Sequence, residues 1–422
     1  MPTLKLTKTY STYHEYKDSG VEWLGEIPKD WQQGIMQHLF CKVKRAWFEN
    51  EQLLSVYRDH GVIIKSSRDD NHNKASDDLS SYQLVEPGDL AINKMKAWQW
   101  SLAISDHRGI VSPAYYICRP LSQNNSRFFH YLLRSDIYIK QYERHSGGVR
   151  NDQWDLNYER FRKIEISTPS LEIQKSIANY LDQKTALVDQ TIEKKLRQIE
   201  LLREKRIAFI KEQLLWKTWW KEEKIKHLIK SIDSGVWGEN PVWDEYDVKC
   251  LRVADFDYDN LDFSDVQTIR NVSNVPKRKI LQKGDILVEK SWGGEKTPVG
   301  RAILFNSDER MVCANFIDIV RVNREKVLPD FLTLYLFVLY SGRINTKYIK
   351  QNTGIQNMDI KSYFHELITF PEMTIQEEII EKVYEKMQEY DKAILIIEKS
   401  VELLREYKSS LISHVVTGKI KI

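Results

Sequence analysis

At 422 residues the chain is too long for one ordinary core, and its formal charge of +3 is nearly neutral, so bulk charge alone announces no polyanionic partner. A mean hydropathy of −0.50 describes a soluble protein, and no apolar run approaches the ~18 to 20 residues of a membrane span. The opening "MPTLKLTKTYSTYHEY" lacks a signal peptide's apolar core, and four scattered cysteines without a CxxC pair predict buried, reduced thiols and a cytoplasmic setting.

Residues 1–168 read as a first α+β domain. Strand-like runs "DLAINK" and "AYYICRP" alternate with Gly, Asn and Asp turns, and "RFFHYLLRS" reads as a short helix. Three polar loops stand out: "SRDDNHNK", "NKMKAWQW" and "GGVRNDQW". They place Arg68, Asn71, Lys74, Lys94, Lys96, Gln99, Arg150 and Asn151 where backbone and base-edge contacts to DNA are chemically apt. The plainer reading is that polar, Gly-rich loops are ordinary surface connections. The 21 Tyr and 12 Trp are many, and burial in core or interface is the expected use of such rings.

Residues 169–221 carry a long amphipathic helix. Its apolar seam of Leu181, Val188, Ile192, Ile199, Leu202 and Phe209 advances by 7, 4, 7, 3 and 7, the rhythm of a coiled-coil stripe. From Lys194 to Lys226 there are 11 Lys or Arg against 5 Glu, a bias that a solvated helix face explains more simply than a phosphate contact does.

Residues 222–370 form a second α+β domain, with strand-like "DILVEK" and "FIDIVRV" and polar loops "WGGEKTPVGR" and "NTGIQNMD". Its candidate DNA-contacting residues are Lys277, Arg278, Lys296, Arg301, Gln356 and Asn357.

Residues 371–422 hold a second long helix and the tail "VVTGKIKI". Adding 202 to the first seam gives Val383, Tyr390, Ile394, Val401, Leu404 and Leu411, apolar or aromatic throughout. The tetrapeptide LLRE recurs at the same offset, as do Pro169 with Pro371, Gln174 with Gln376 and Asp189 with Asp391. Chance periodicity does not hold one offset across ~40 residues, so the helix is duplicated.

The domains correspond more loosely. "VEPGDLAINK" matches "LQKGDILVEK" at an offset of 196, "GVRN" matches "GIQN" at 206, and His38 in "MQHLF" matches His227 in "IKHLI". The helices are fixed while the surfaces between them vary. A ~44-residue helix needs a partner for its seam, and the other copy is the obvious one. A chain returning through a domain makes the pair antiparallel and relates the two domains by a pseudo-twofold axis.

Catalytic motifs are missing. There is no GxxxxGKS/T phosphate loop, no NPPY or DPPY tetrapeptide, no HExxH and no CxxC pair. The sharpest suspicion is "GDILVEK", whose Asp285, Glu289 and Lys290 suggest a metal-dependent nuclease cluster. Glu289 and Lys290 are adjacent, however, and so face opposite sides of a strand. A shared strand after a Gly-Asp turn is the better reading.

The chain resembles the specificity (S) subunits of type I restriction–modification enzymes. "YKDSGVEWLGEIPKDW" is similar to that family's N-terminal signature, "GDLAINKMKAWQWSLAIS" and "GIVSPAYYICRP" to its first target-recognition domain, and "P-x-x-x-IQ" with "LLRE" to its repeated spacer. The second domain matches only in its Gly-Asp strand, its "TGIQNMD" loop and its helix. The resemblance implies two target-recognition domains reading a bipartite, gapped DNA target, with the helices as ruler and as dock for two methyltransferase subunits. Adenine-N6 methylation and ATP-dependent cleavage by restriction subunits then belong to partner chains, which would hold S-adenosylmethionine, ATP and Mg²⁺. This chain would be non-catalytic, without cofactor or metal. The alternatives are the specificity subunit of a related methyltransferase-nuclease system and a purely structural coiled-coil adaptor.

Overall fold

The computed structural model describes residues 10–58, 60–67, 75–148, 154–214, 219–352 and 355–422. The chain divides into two compact units, Met1–Lys195 with Lys399–Ile422, and Leu196–Glu398. The long helices run Leu171–Leu214 and Met373–Val416, and each contributes one portion to each unit.

The first unit is built on a four-stranded antiparallel sheet in the order Phe40–Val43, Tyr115–Pro120, Leu90–Asn93, Leu102–Ile104. The turn into Leu90–Asn93 explains its Gly-Asp pair. Gly88 takes φ +93°, a conformation that costs glycine little, and the buried Asp89 carboxylate accepts from the Glu86 amide at 2.8 Å and from Arg45 at 2.7 Å. Helices Ser126–Leu133 and Asp136–Arg144 follow. Strand Glu165–Thr168 pairs with Gln32–Ile35 and leads into the first long helix. The core joins Trp31, Phe128, Tyr138 and Phe161 to Leu181 of the first long helix and to Leu411 and Val415 of the second.

The "YKDSGVEWLGEIPKDW" segment meets the C-terminal tail inside this unit. The Tyr16 hydroxyl donates to the Gly418 carbonyl at 3.1 Å, and the Lys419 ammonium donates to the Leu24 carbonyl at 3.1 Å. Gly418 sits at φ +74°, and a Cβ there would lie 2.5 Å from the Pro28 ring. This motif is a clasp for the tail.

The second unit repeats the plan. Ile229–Ser234, Ile317–Val322, Asp285–Glu289 and Ala302–Phe305 make an antiparallel sheet in the same order. Lys221–Lys224 pairs with Leu367–Phe370, which leads into the second long helix. Gly284 at φ +89° and Asp285, bonded to the Gln282 amide and to Arg321, reproduce the Gly-Asp turn. Helix Pro329–Ser341, buried on nearly every side and started by proline, escaped the sequence reading. Its core joins Phe331, Phe337 and Tyr363 to Ile210 and Leu214 of the first long helix and Val383 and Met387 of the second.

The helix segments run antiparallel. In the second unit Arg203 pairs with Glu398 and Arg206 with Asp391, numbers rising on one helix as they fall on the other. In the first unit Asp189 pairs with Lys408. Leu181, Val188, Ile199, Val383, Ile394, Val401 and Leu411 of the seam are buried, and Ile192, Leu202, Phe209, Tyr390 and Leu404 are half-buried. The fold is therefore the α+β duplication with paired long helices that the sequence predicts.

Three of the four free cysteines are buried. Burial pushes the Cys118 thiol up to about 12 and that of Cys250 to about 11, which keeps both protonated. Most of the Tyr and Trp rings are buried or half-buried, as expected, while Trp47, Trp219, Trp237, Trp243 and Trp292 are exposed. Among the described residues no helix is long and apolar enough to cross a membrane, and no group of three or more His, Cys, Asp or Glu is placed to hold a metal.

Candidate nucleic-acid interface

The suspected nuclease cluster is spent on the fold. Asp285 accepts from Arg321 at 2.8 and 2.9 Å, and Glu289, buried, accepts from Arg301 at 2.8 and 3.1 Å. Lys290 donates to Asp318 at 2.6 Å. Each acid neutralises a neighbouring cation, and the three do not converge on a common point of charge.

The loop candidates separate into distinct environments. Arg68, Asn71, Lys74, Arg150 and Asn151 lie outside the described residues. Lys96 and Gln99 are exposed at the turn Ala97–Gln99. Lys277 and Lys296 are exposed, as is Arg278, whose guanidinium donates to Asp233 at 3.0 Å. Arg301 is held by Glu289, and Gln356 is buried with its carbonyl accepting from the Val299 amide at 3.3 Å. Both serve the loop's interior in this structure. Asn357 is exposed and accepts from the Ser291 hydroxyl at 2.6 Å, on the hairpin of Ile349–Asn352 with Ile355–Met358. At its base, Lys350, with help from the Ser362 amide, holds the Asp359 carboxyl down to about 2.

Lys94 lies in the most suggestive place. It lines a cleft of roughly 520 Å³ in the first unit with Lys42, Lys44, Trp47, Gln83 and Tyr116, and no carboxylate lines it. The Lys42 ammonium sits 4.5 Å and that of Lys94 5.1 Å from the Tyr116 ring centre. Burial, then the field of Asp155, raises the Tyr116 phenol. Sequence reading passed over Lys42, Lys44 and Trp47 because they lie in or just after the strand Phe40–Val43 and not in a Gly-rich loop. The available signal was the alternation "KVK", which puts two lysines on one strand face.

A larger cleft of roughly 960 Å³ in the same unit is lined in large part by paired groups. Lys408 pairs with Asp189, the Ser409 hydroxyl donates to Asp136, and Arg134 donates to the carbonyls of Trp100 and Leu102. It is a seam of the scaffold.

Comparison with known proteins fits this geometry. Residues 46–201 match the family model described as type I restriction modification DNA specificity domain. The chain has the fold of a type I specificity subunit. It superposes with a TM-score of 0.70 on a chain from "Structural basis underlying complex assembly and conformational transition of the type I R-M system", at 13% identity, covering 92% of this chain and 98% of that one. Against the HsdS subunit from Thermoanaerobacter tengcongensis the TM-score is 0.50 at 15% identity, covering 93% and 98%. At such identity the likeness establishes the fold, and the family match covers less than half of the chain. No curated protein sequence matches the chain.

Proposed function

We propose that the chain is the DNA-reading specificity subunit of a type I restriction–modification enzyme, with each unit reading one half of a bipartite, gapped target. The observation that carries this is the repeat itself. Two sheets of one topology, each on its own portion of the long helices, bear different side chains at equivalent positions. Two unlike readers on one chain need no palindrome, whereas a symmetric dimer does. Lys and Arg on phosphates would position each unit, and base-edge contacts would select sequence.

The long helices would dock two modification subunits, and restriction subunits through them. Their exposed apolar side chains support this: Leu187, Leu196 and Leu201 on the first helix, and Leu395, Ile396 and Leu403 on the second. Leu201 and Leu403 are repeat mates in the two LLRE motifs. S-adenosylmethionine, ATP and Mg²⁺ would be held by those partners, and the target adenine would be flipped into a modification subunit's pocket while this chain keeps the duplex in register.

The test is exchange of residues 1–168 for the matching segment of a relative with another target. One half-site should change and the other persist. Simultaneous change of both would end the two-reader account, and an assembled complex that binds no specific duplex would favour a purely structural adaptor.

A further inference from the structure

The registers of the two sheets allow position-by-position comparison. Leu90 pairs with Cys118 as Ile286 pairs with Val320, so Tyr116 is equivalent to Asp318 and Lys94 to Lys290. On the neighbouring strand Lys42 pairs with Cys118 as Ile232 pairs with Val320, which makes Lys44 equivalent to Ser234. At the same three positions the first unit therefore has Lys44, Tyr116 and Lys94, and the second has Ser234, Asp318 and Lys290.

The chemistry diverges sharply. Lys290 donates to both Asp318 and Ser234, so its charge is neutralised within the fold. In the first unit Tyr116 offers the cations a ring face in place of a carboxylate, and among the described residues Lys42, Lys44 and Lys94 make no ion pair. Three cations held together with no carboxylate lining their cleft repel one another, an arrangement that an incoming polyanion relieves. Trp47 stands on the rim, 79% exposed and at φ +71°, a backbone conformation that bulky residues rarely adopt. Strain that displays an indole to solvent beside a cationic cleft suits a ring that stacks on, or wedges between, bases.

We propose that the Lys42–Lys44–Lys94 cleft with Trp47 is a duplex-DNA contact of the first unit, and that Asp318 silences its counterpart in the second. The lysines bind successive phosphates, and the indole contacts the adjoining base step. The inference rests on the DNA-reading function proposed above and adds an asymmetry: the first unit carries more of the salt-dependent affinity.

The experiment titrates the full chain, co-expressed with its modification subunits, against a random-sequence DNA duplex between roughly 50 and 200 mM salt. Neutralising three phosphate contacts in the variant K42Q/K44Q/K94Q should flatten the slope of log K against log salt by about 2.7, since each contact contributes about 0.9. D318N, which frees Lys290, should steepen it by about 0.9. W47A should weaken binding by roughly tenfold with the slope unchanged, and W47F should restore most of that loss. A folded triple-lysine variant with the wild-type slope overturns the proposal, and so does a D318N slope equal to wild type. The D318N arm keeps the test decisive should the triple variant fail to fold. Wild-type complex that binds no duplex overturns the DNA-reading function itself, a result distinct from either.

Discussion

Gln174 and Gln376, 202 residues apart, make the same two hydrogen bonds. Each amide nitrogen donates at 2.9 Å to the carbonyl of the proline five residues earlier, Pro169 or Pro371. Each amide oxygen accepts from the backbone N–H that caps a helix of its own unit, Asn125 at 3.0 Å or Leu328 at 2.9 Å. Both side chains are buried. The "IQ" of the repeated motif is thus a bolt between the start of a long helix and the start of the helix packed beside it.

Removing the bolt should loosen one unit locally. Gln376→Ala removes the partner of the Leu328 N–H and the donor to the Pro371 and Lys326 carbonyls, at about 1–3 kcal/mol for each buried group left unsatisfied. Hydrogen exchange at the first turn of Pro329–Ser341 should quicken in this variant, while the turn at Ser126 stays protected. Equal quickening at both sites would show that the bonds do not act unit by unit.

The ion pairs Asp189–Lys408 and Asp391–Arg206 are also repeat mates, yet they are not equivalent in energy. Asp189 is exposed and Lys408 half-buried, and such surface pairs contribute about 0.2–1 kcal/mol. The Arg206 guanidinium is buried, with its side chain only 3% exposed, and is bound by both Asp391 and Asp259. Asp391→Ala should therefore cost about 2–3 kcal/mol, because it leaves a buried cation half-compensated, and Asp189→Ala less than about 1. Denaturation midpoints of the two variants measure the difference.

Acid should destabilise the first unit through His130. Burial, then the nearby Arg134 and Arg127, pushes its imidazole down to about 3 from 6.5. The native state holds it neutral and the unfolded chain binds the proton more tightly. Its contribution is complete above pH 6.5 and is lost as pH falls toward 3, on the order of 1.4 kcal/mol per pH unit. His130→Gln should flatten stability across that window, as read by denaturant unfolding at successive pH values.

The long helices, taken as a ruler, predict a change of spacing. Four residues inserted near Glu193 add roughly 6 Å of helix and nearly restore its face, so the seam can re-form. The two half-sites should persist with the gap between them longer by one or two base pairs. Two inserted residues rotate the helix by about 200° and should abolish assembly. Methylation at the original spacing after the four-residue insertion would make the helices a scaffold only.

The duplicated helices, the Gly-Asp strands and the two-domain plan were legible in the sequence because each is a local pattern: a 3.5-residue rhythm, a turn, an alternation. The roles of polar residues were less so. Gln356 and Arg301 looked like loop contacts, but their partners Val299 and Glu289 come from elements 57 and 12 residues away. Only the fold sets Lys42 and Lys44 beside Lys94 and Tyr116. Spacing along the chain does not reveal whether a cation meets a carboxylate or a ring across a sheet, as Lys290 and Lys94 illustrate.

The central claim is that two unlike readers on one chain recognise one divided target. Sequencing of methylated adenines in DNA from cells expressing this chain with its modification subunits tests it most directly. The account predicts a single motif of two different specified half-sites, separated by a gap of fixed length and unspecified sequence, with an adenine methylated in each half. A continuous motif, a palindrome with identical halves, or methylation that ignores sequence would contradict it.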